Sequence, residues 1–173
     1  GNTIQGLQVS NFSGAGIAIS NGAHNLVGGD RSVGAGPFGQ GNLTILNDVG
    51  IGLWGSKASF NTIRGNLIGS DATDANDLGN LSTGVIIIEG ASNNNIGPDN
   101  IIAFNGEEGI YIEPSDAFEN SVIQNNIYEN GTGNDVGVED SDTQTAATVI
   151  FYNGTILTID ENFTQAEAIS IRN

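Results

Sequence analysis

NTIRGNLIGSDATDANDLGNLSTGVIIIEGASNNNI, residues 61–96, is the stretch that decides the fold, because it spans one full period of a repeat. It begins with Asn-x-Ile at Asn61, turns at Gly65-Asn66 and, after a polar excursion, reaches an apolar run that follows Gly84. The Asn-x-Ile phrase then returns at Asn94. A motif that returns at this distance is typical of stacked repeats.

Two short sequence motifs, here called landmarks, recur on both sides of this stretch. The first is Asn-x-[Ile/Val], which begins at Asn2, Asn25, Asn61, Asn94 and Asn120. The second is Gly-[Ile/Val], which begins at Gly16, Gly50, Gly84, Gly109 and Gly137. The second landmark precedes the next first one by 9 to 11 residues, whereas the opposite interval varies from 14 to 25 residues. Insertions confined to one half of a unit indicate loops that leave a stack of strands in register.

The runs between the landmarks are short, β-branched and bounded by Gly and Asn, which predicts strands. Their alternation places apolar side chains on one face, as in Ile17/Ile19, Ile51/Leu53 and Ile110/Ile112. A step of five residues recurs at Ile63/Ile68, Ile96/Ile101 and Val122/Ile127. Five is an odd number, so both residues point inward only if a left-handed residue bends the chain, at Gly65-Asn66 or Gln124-Asn125.

Short strands joined by sharp corners predict an all-β fold, a single-stranded parallel β-helix of about five coils over residues 1–140. The asparagines at the corners are predicted to form ladders between coils. Two excursions, at 28–41 and 69–83, leave the coils as loops. Residues 141–173 are predicted to be a separate cap or assembly segment, with a hairpin over 148–159 that turns at Asn153-Gly154.

Composition excludes several classes of function. The net charge of −16 argues against nucleic acid, since binding it requires cations that neutralise phosphates. The absence of cysteine excludes a thiolate zinc site and a cysteine nucleophile. No run approaches the length of a membrane span, so membrane insertion is not expected. The chain starts at Gly1 and contains no methionine, which suggests a processed product or a piece of a longer protein.

The phrase N-x-I-x-G-N-x-I-G-x-D-A-T…L-G-N…G-V-x-I…G-A-S-N-N-x-I-G, at residues 61–97, resembles the right-handed parallel β-helix repeats of large bacterial and archaeal cell-surface proteins. The fold is similar, more distantly, to the pectate-lyase superfamily. The resemblance covers residues 2–139 and implies a right-handed coil. Such repeats occur in many surface proteins without an assigned reaction, so the resemblance implies no particular activity.

Few residues are candidates for metal binding or catalysis. Asp71, Asp74, Asn76 and Asp77 offer hard oxygen ligands within one loop, and Ca²⁺ is the cofactor that such a loop would suit. A second acidic cluster comprises Asp135, Glu139, Asp140 and Asp142. A hydrolase would need two carboxylates, and its candidates are Glu107, Glu108, Glu113 and Asp116. These are expected to be solvated or strand-ending residues, and the single His24 is expected to be a corner residue.

Six N-x-[ST] sequons occur in the chain. Three are the candidate glycosylation sites of an exported protein: Asn80, in the long loop, Asn153 and Asn162.

The expected function is therefore a non-catalytic structural or adhesive segment of an extracellular or cell-surface protein, with no catalytic residues. Its expected partners are further copies stacked end to end as a filament, or other surface proteins and glycans. The alternative is a carbohydrate-active enzyme, either a polysaccharide lyase or a glycoside hydrolase, or a glycan-binding module.

Overall fold

The computed structural model describes residues 1–71 and 77–131, and the backbone of residues 136–137, 156–157 and 165–166. All of the regular secondary-structure elements in these residues are β-strands. In chain order they are β1 (Thr3–Ile4), β2 (Gln8–Ser10), β3 (Ala15–Ser20), β4 (Leu26–Gly28), β5 (Leu43–Ile45), β6 (Val49–Trp54), β7 (Thr62–Arg64), β8 (Leu67–Ile68), β9 (Val85–Ile88), β10 (Asn95–Ile96), β11 (Ile101–Ala103), β12 (Ile110–Ile112), β13 (Ser121–Val122), β14 (Asn126–Tyr128), β15 (Val136–Gly137), β16 (Ile156–Leu157) and β17 (Gln165–Ala166).

Strands β1 to β15 form three parallel sheets of five strands each. The first sheet has the order β1-β4-β7-β10-β13, the second β2-β5-β8-β11-β14 and the third β3-β6-β9-β12-β15. The chain visits the three sheets in constant rotation, so each strand pairs with the strands three before and three after it in the chain. The predicted all-β fold with parallel strands is confirmed, and the arrangement is consistent with a parallel β-helix.

Like residues lie above like in the space enclosed by the sheets. In the first sheet the register aligns Ile4, Val27, Ile63, Ile96 and Val122. In the third sheet it aligns Ile17, Ile51, Val85 and Ile110, and two residues later Ile19, Leu53, Ile87 and Ile112. All of these residues belong to one apolar cluster. The alternation predicted from the sequence is therefore that of the core.

One predicted inward residue is wrong. Ile101 was expected to be the partner of Ile96, but Ile102 aligns with Ile68 and Ile127 and belongs to the core. The path from Ile96 to Ile102 contains one residue more than the path from Ile63 to Ile68. This extra residue moves Ile101 to the opposite face of the second sheet, because successive side chains of a strand alternate.

The two excursions cover the outer face of the second sheet. Leu43, Leu67 and Ile101 are aligned there and form a second buried cluster with Ile45. Phe38, from the first excursion, and Leu78, from the second, pack against this cluster. In the same row, β2 and β14 at the two ends of the sheet carry the exposed polar residues Gln8 and Asn126. The described parts of the excursions therefore act as structural covers, which composition did not reveal.

Thr44 interrupts the aliphatic column of the second sheet. It lies between Val9 and Ile68 in the register, is completely buried, and its hydroxyl has no hydrogen-bond partner. Because an unpaired buried hydroxyl is costly, we expect Thr44→Val to raise the free energy of unfolding by about 1 kcal/mol. Urea unfolding would measure this, with Thr3→Val on exposed β1 as a control that stays within about 0.5 kcal/mol of the parent. A destabilised Thr44→Val protein would contradict the expectation.

At the C-terminal end, β15 pairs in parallel with β12, and β16 pairs antiparallel with β17. The predicted turn at Asn153-Gly154 lies outside the described residues, so the hairpin over 148–159 and the division of the chain at residue 140 stay predictions. The acidic residues of the second cluster, Asp135, Glu139, Asp140 and Asp142, also lie outside them. In the part of the chain that is described, no helix is long and apolar enough to cross a membrane.

Candidate functional site

Asparagine side chains that recur from coil to coil lie at three corners and form three ladders. Ladder one comprises Asn2, Asn25, Asn61, Asn94 and Asn120. Ladder two comprises Asn42, Asn66, Asn100 and Asn125. Ladder three comprises Asn47, Asn80, Asn105 and Asn130. The ladders that were predicted at the corners are thus present.

Most ladder steps share one geometry, which Asn61 illustrates. The Nδ2 atom of Asn61 donates to Oδ1 of Asn94 at 2.9 Å, and its backbone N–H donates to the same oxygen at 3.0 Å. The second hydrogen of Nδ2 is donated to the carbonyl of Gly22 at 2.9 Å. Its Oδ1 accepts both donors of Asn25. Every hydrogen-bonding atom of the carboxamide is therefore satisfied, as burial requires.

The ladders have a direction. In each step the earlier asparagine donates and the later one accepts, as in the bond of 2.8 Å from Asn25 Nδ2 to Asn61 Oδ1. A ladder therefore presents an acceptor toward the N-terminal end of the stack and donors toward the other end. This polarity distinguishes the two ends chemically.

The residue that precedes a ladder asparagine adopts a left-handed backbone at most corners. The predicted bends at Gly65 and Gln124 are among them, with φ of 63° and 52°. Larger residues also do so, including Phe60 and Leu46, both with φ of 55°. Such a conformation costs roughly 1–2 kcal/mol for a side chain with Cβ. The satisfied ladder bonds that follow each bend offset this cost.

The Gly-[Ile/Val] landmark is explained by ladder three. A Cβ on Gly50 would lie 2.5 Å from the carbonyl oxygen of Gly84 and 3.0 Å from Nδ2 of Asn80. A Cβ on Gly84 would likewise lie 2.8 Å from Nδ2 of Asn105. The glycines are thus required by the close approach of the next coil and of its ladder amide.

The candidate catalytic carboxylates make separate contacts. Oε2 of Glu107 accepts a hydrogen bond from the Ser82 hydroxyl, and Oε2 of Glu113 accepts one from the backbone N–H of Glu89 at 2.7 Å. Glu107 and Asp116 are exposed. Among the described residues, no three acidic, histidine or cysteine side chains are grouped so that they could hold a metal ion. These contacts tie the carboxylates to the adjacent coil.

His24 is a corner residue, as the sequence indicated. It has a φ of 58°, and its ring stacks on that of Phe60 with a centroid distance of 5.2 Å and an interplanar angle of 7°. Phe60 occupies the equivalent corner one coil later. The contact is therefore an outward stack between adjacent coils.

A shallow depression of about 300 Å³ lies where the first excursion meets the second sheet, and Arg31, Asp99, Gln124 and Asn126 are among the residues that line it. Nearby in the chain, the hydroxyl and amide of Ser32 donate to the Asp30 carboxylate at 2.6 and 2.8 Å. These bonds, with a smaller effect of Arg64, hold the pKa of Asp30 below its ordinary value. The Asp30 carboxylate thus stabilises the turn in which it lies.

The predicted calcium loop is described only at its ends, at Asp71 and Asp77. Oδ1 of Asp77 accepts a hydrogen bond from the backbone N–H of Gly79 at 3.2 Å. Asp74 and Asn76 lie outside the described residues. Calcium binding therefore stays a prediction.

The exposure predicted for the glycosylation candidate Asn80 is wrong. Its side chain is 1% exposed, and its Nδ2 donates to Asn105 Oδ1 at 2.8 Å and to the Thr44 carbonyl at 3.1 Å. A glycan on this nitrogen would require the asparagine to leave ladder three. The other candidates, Asn153 and Asn162, lie outside the described residues.

No protein-family model, curated protein or solved structure matches the chain. The site must therefore be interpreted from its own chemistry.

The sequence reasoning did not place Asn80 in a ladder, although the sequence carries a signal for it. Asn47, Asn80 and Asn105 stand three or four residues before the landmark glycines. Asn80 was assigned to the polar excursion because the residues before it are acidic and glycine-rich. The similar distance to the following glycine, three or four residues, would have placed it at a corner.

Proposed function

We propose that the chain is a non-catalytic structural or adhesive segment of an extracellular or cell-surface protein, built as a right-handed parallel β-helix of about five coils. The observation that carries this proposal is the use of the recurring polar groups. The asparagines that recur from coil to coil donate and accept within the stack, as Asn61 does on both sides. They stabilise the scaffold and are not presented to a ligand.

The surface chemistry supports the same role. The acidic residues proposed for catalysis contact neighbouring coils separately, and the only histidine stacks on Phe60. A net charge of −16 with four Lys and Arg residues keeps such a surface soluble and repels polyanions. The location outside the cell and the right-handed coil rest on the resemblance to cell-surface repeats.

The alternative, a carbohydrate-active enzyme or glycan-binding module, rests on fold analogy, which is a weak basis for an activity. Incubation with neutral and acidic polysaccharides, with and without Ca²⁺, separates the two. We expect no release of reducing ends or of unsaturated products. Release that is lost on Glu113→Ala but retained on Asp71→Ala would overturn the proposal and assign the chain to the enzymes.

A further inference from the structure

We propose that the outer face of the third sheet binds a neutral glycan, one ring of which stacks on the indole of Trp54. The surface, here called the Trp54 platform, consists of Trp54 in β6, Ile86 and Ile88 in β9, and Tyr111 in β12. The residues that alternate with these belong to the apolar core, so the platform residues face away from it. The inference rests on the adhesive role in the proposed function and names the class of ligand for that role.

The indole of Trp54 lies flat on the sheet. A Cβ at Gly52, two residues earlier on the same face, would lie 2.3 Å from Cζ2, 2.4 Å from Cη2 and 2.9 Å from Cε2 of Trp54. Three distances this similar place the Cβ position over the face of the six-membered ring and not at its edge. One face of the indole therefore covers the backbone of Gly52, and the opposite face points away from the sheet. The Trp54 side chain is partly exposed.

The register extends this surface along the stack. Gly52 aligns with Ile86, which aligns with Tyr111, and Trp54 aligns with Ile88. Adjacent strands are about 4.8 Å apart, so the row that the indole covers and the row of Tyr111 are separated by about 10 Å. A chain of two or more sugar rings spans that distance. One ring then lies on the indole, and the next lies on the isoleucines.

Polar groups flank the platform on both sides. Exposed Ser20 aligns with Trp54 in the preceding coil. Beyond Ile88, the Oε2 atom of Glu113 accepts a hydrogen bond from the backbone N–H of Glu89 at 2.7 Å, which holds the carboxylate beside the platform. A carboxylate has lone pairs for further donors, so it can also accept a sugar hydroxyl.

This combination of groups matches the two kinds of surface on a sugar ring. The C–H groups on the face of the ring carry a partial positive charge and are attracted to the negative face of an aromatic ring. The hydroxyls at the edge of the sugar then meet the hydroxyl of Ser20 on one side and the carboxylate of Glu113 on the other. The chemistry on this face therefore suits a polyhydroxylated ring.

The area and charge of the platform argue against other occupants. A stable protein interface buries about 800 Å² per partner, and four partly buried side chains expose far less than this. The turn after β6 carries Lys57, but the carboxylates of Glu89 and Glu113 and the net charge of −16 oppose an anionic ligand. A neutral glycan meets neither obstacle.

Fluorescence titration tests the inference directly. The chain contains a single tryptophan, so its emission reports on the platform alone. The 173-residue chain would be titrated with cellohexaose, xylohexaose, mannohexaose and laminarihexaose, and with hexagalacturonate as the anionic probe. We expect at least one neutral hexasaccharide to shift the emission to shorter wavelength in a saturable manner, because a stacked sugar displaces water from the indole. Hexagalacturonate should cause no such shift.

Calorimetric titration of variants then locates the site. Trp54→Ala is expected to weaken binding about 10-fold or more, as the loss of an aromatic anchor does. Gly52→Ala keeps every side chain of the platform but displaces the indole, and a similar loss is expected. The matched control is Phe60→Ala, which removes an aromatic side chain that is 55% exposed and lies at a corner outside the third sheet. It should bind like the parent, and circular dichroism would confirm that each variant keeps its strands.

Three results would overturn the inference. They are the absence of saturable binding of every neutral hexasaccharide to the parent, binding that survives Trp54→Ala, and tighter binding of hexagalacturonate than of the neutral probes. The proposed function fails separately. A chain that binds no glycan and degrades none would remain a scaffold without this site, whereas a chain that binds a glycan and releases sugar products would keep the site and lose the non-catalytic role.

Discussion

Replacing Asn66 with aspartate is expected to lower the free energy of unfolding by about 4 kcal/mol at neutral pH, with much of the loss recovered in acid. Asn66 is completely buried in the middle of ladder two. Its Nδ2 donates to Oδ1 of Asn100 and to the carbonyl of Val27, both at 3.0 Å. In Asn66→Asp a carboxylate oxygen would replace Nδ2 and face the oxygens of Asn100 and Val27, so the two donated hydrogen bonds would be lost. The hydrogen bonds that Asn66 Oδ1 accepts from Asn42 would persist.

The pH dependence follows from the same contacts. Burial beside acceptors raises the pKa of the introduced carboxyl in the folded state above its unfolded value of about 3.9. The folded state then favours the protonated form. The loss in the free energy of unfolding is therefore largest at pH values above the raised pKa. It becomes smaller as the pH falls from the folded-state pKa toward the unfolded-state pKa.

Urea unfolding of the parent and of Asn66→Asp at neutral and mildly acidic pH would measure both effects. The matched control is Asn11→Asp, because Asn11 is exposed and bonds only its neighbour Ser10 among the contacts of its side-chain amide. That change should alter stability by less than about 0.5 kcal/mol. Equal losses for the two variants, or a loss at Asn66 that is independent of pH, would show that the ladder is not an essential part of the stack.

Gly65→Ala is expected to destabilise the protein by about 4 kcal/mol, combining a left-handed backbone with a direct clash. Gly65 has a φ of 63°, and a Cβ there would lie 1.8 Å from the carbonyl oxygen of Gly29. Asp99 and Gln124 occupy the same corner in later coils with φ of 65° and 52°. The left-handed backbone alone is thus tolerated at this corner. Gly65 is different because the first excursion crosses directly over it.

Thermal and urea unfolding would measure the loss, with Gly14→Ala as the control, because no heavy atom lies within 4 Å of a Cβ at Gly14. We expect the control to stay within about 1 kcal/mol of the parent. If Gly65→Ala were as stable as the control, the excursion could not lie where the structure places Gly29.

The correct predictions and the errors have different physical origins. The strand faces and the ladders at Asn61, Asn66 and Asn94 follow from local periodicity, since side-chain direction along a strand depends on residue count alone. The errors at Ile101 and Asn80 arose where one inserted residue or a long excursion changed that count. There the inward residue is selected by the register with the neighbouring coil.

The sequence by itself determined that the chain is built from short parallel strands, that apolar residues recur on one face of each strand and that glycine or asparagine marks the corners. Only the tertiary structure decided that the excursions cover the second sheet through Phe38 and Leu78, and that Leu7 and Phe12 end two ladders. The physical reason is that a repeat specifies contacts between equivalent positions of adjacent coils. Contacts made by a loop, or at a corner where the ladder asparagine is replaced, have no equivalent elsewhere in the sequence from which they could be inferred.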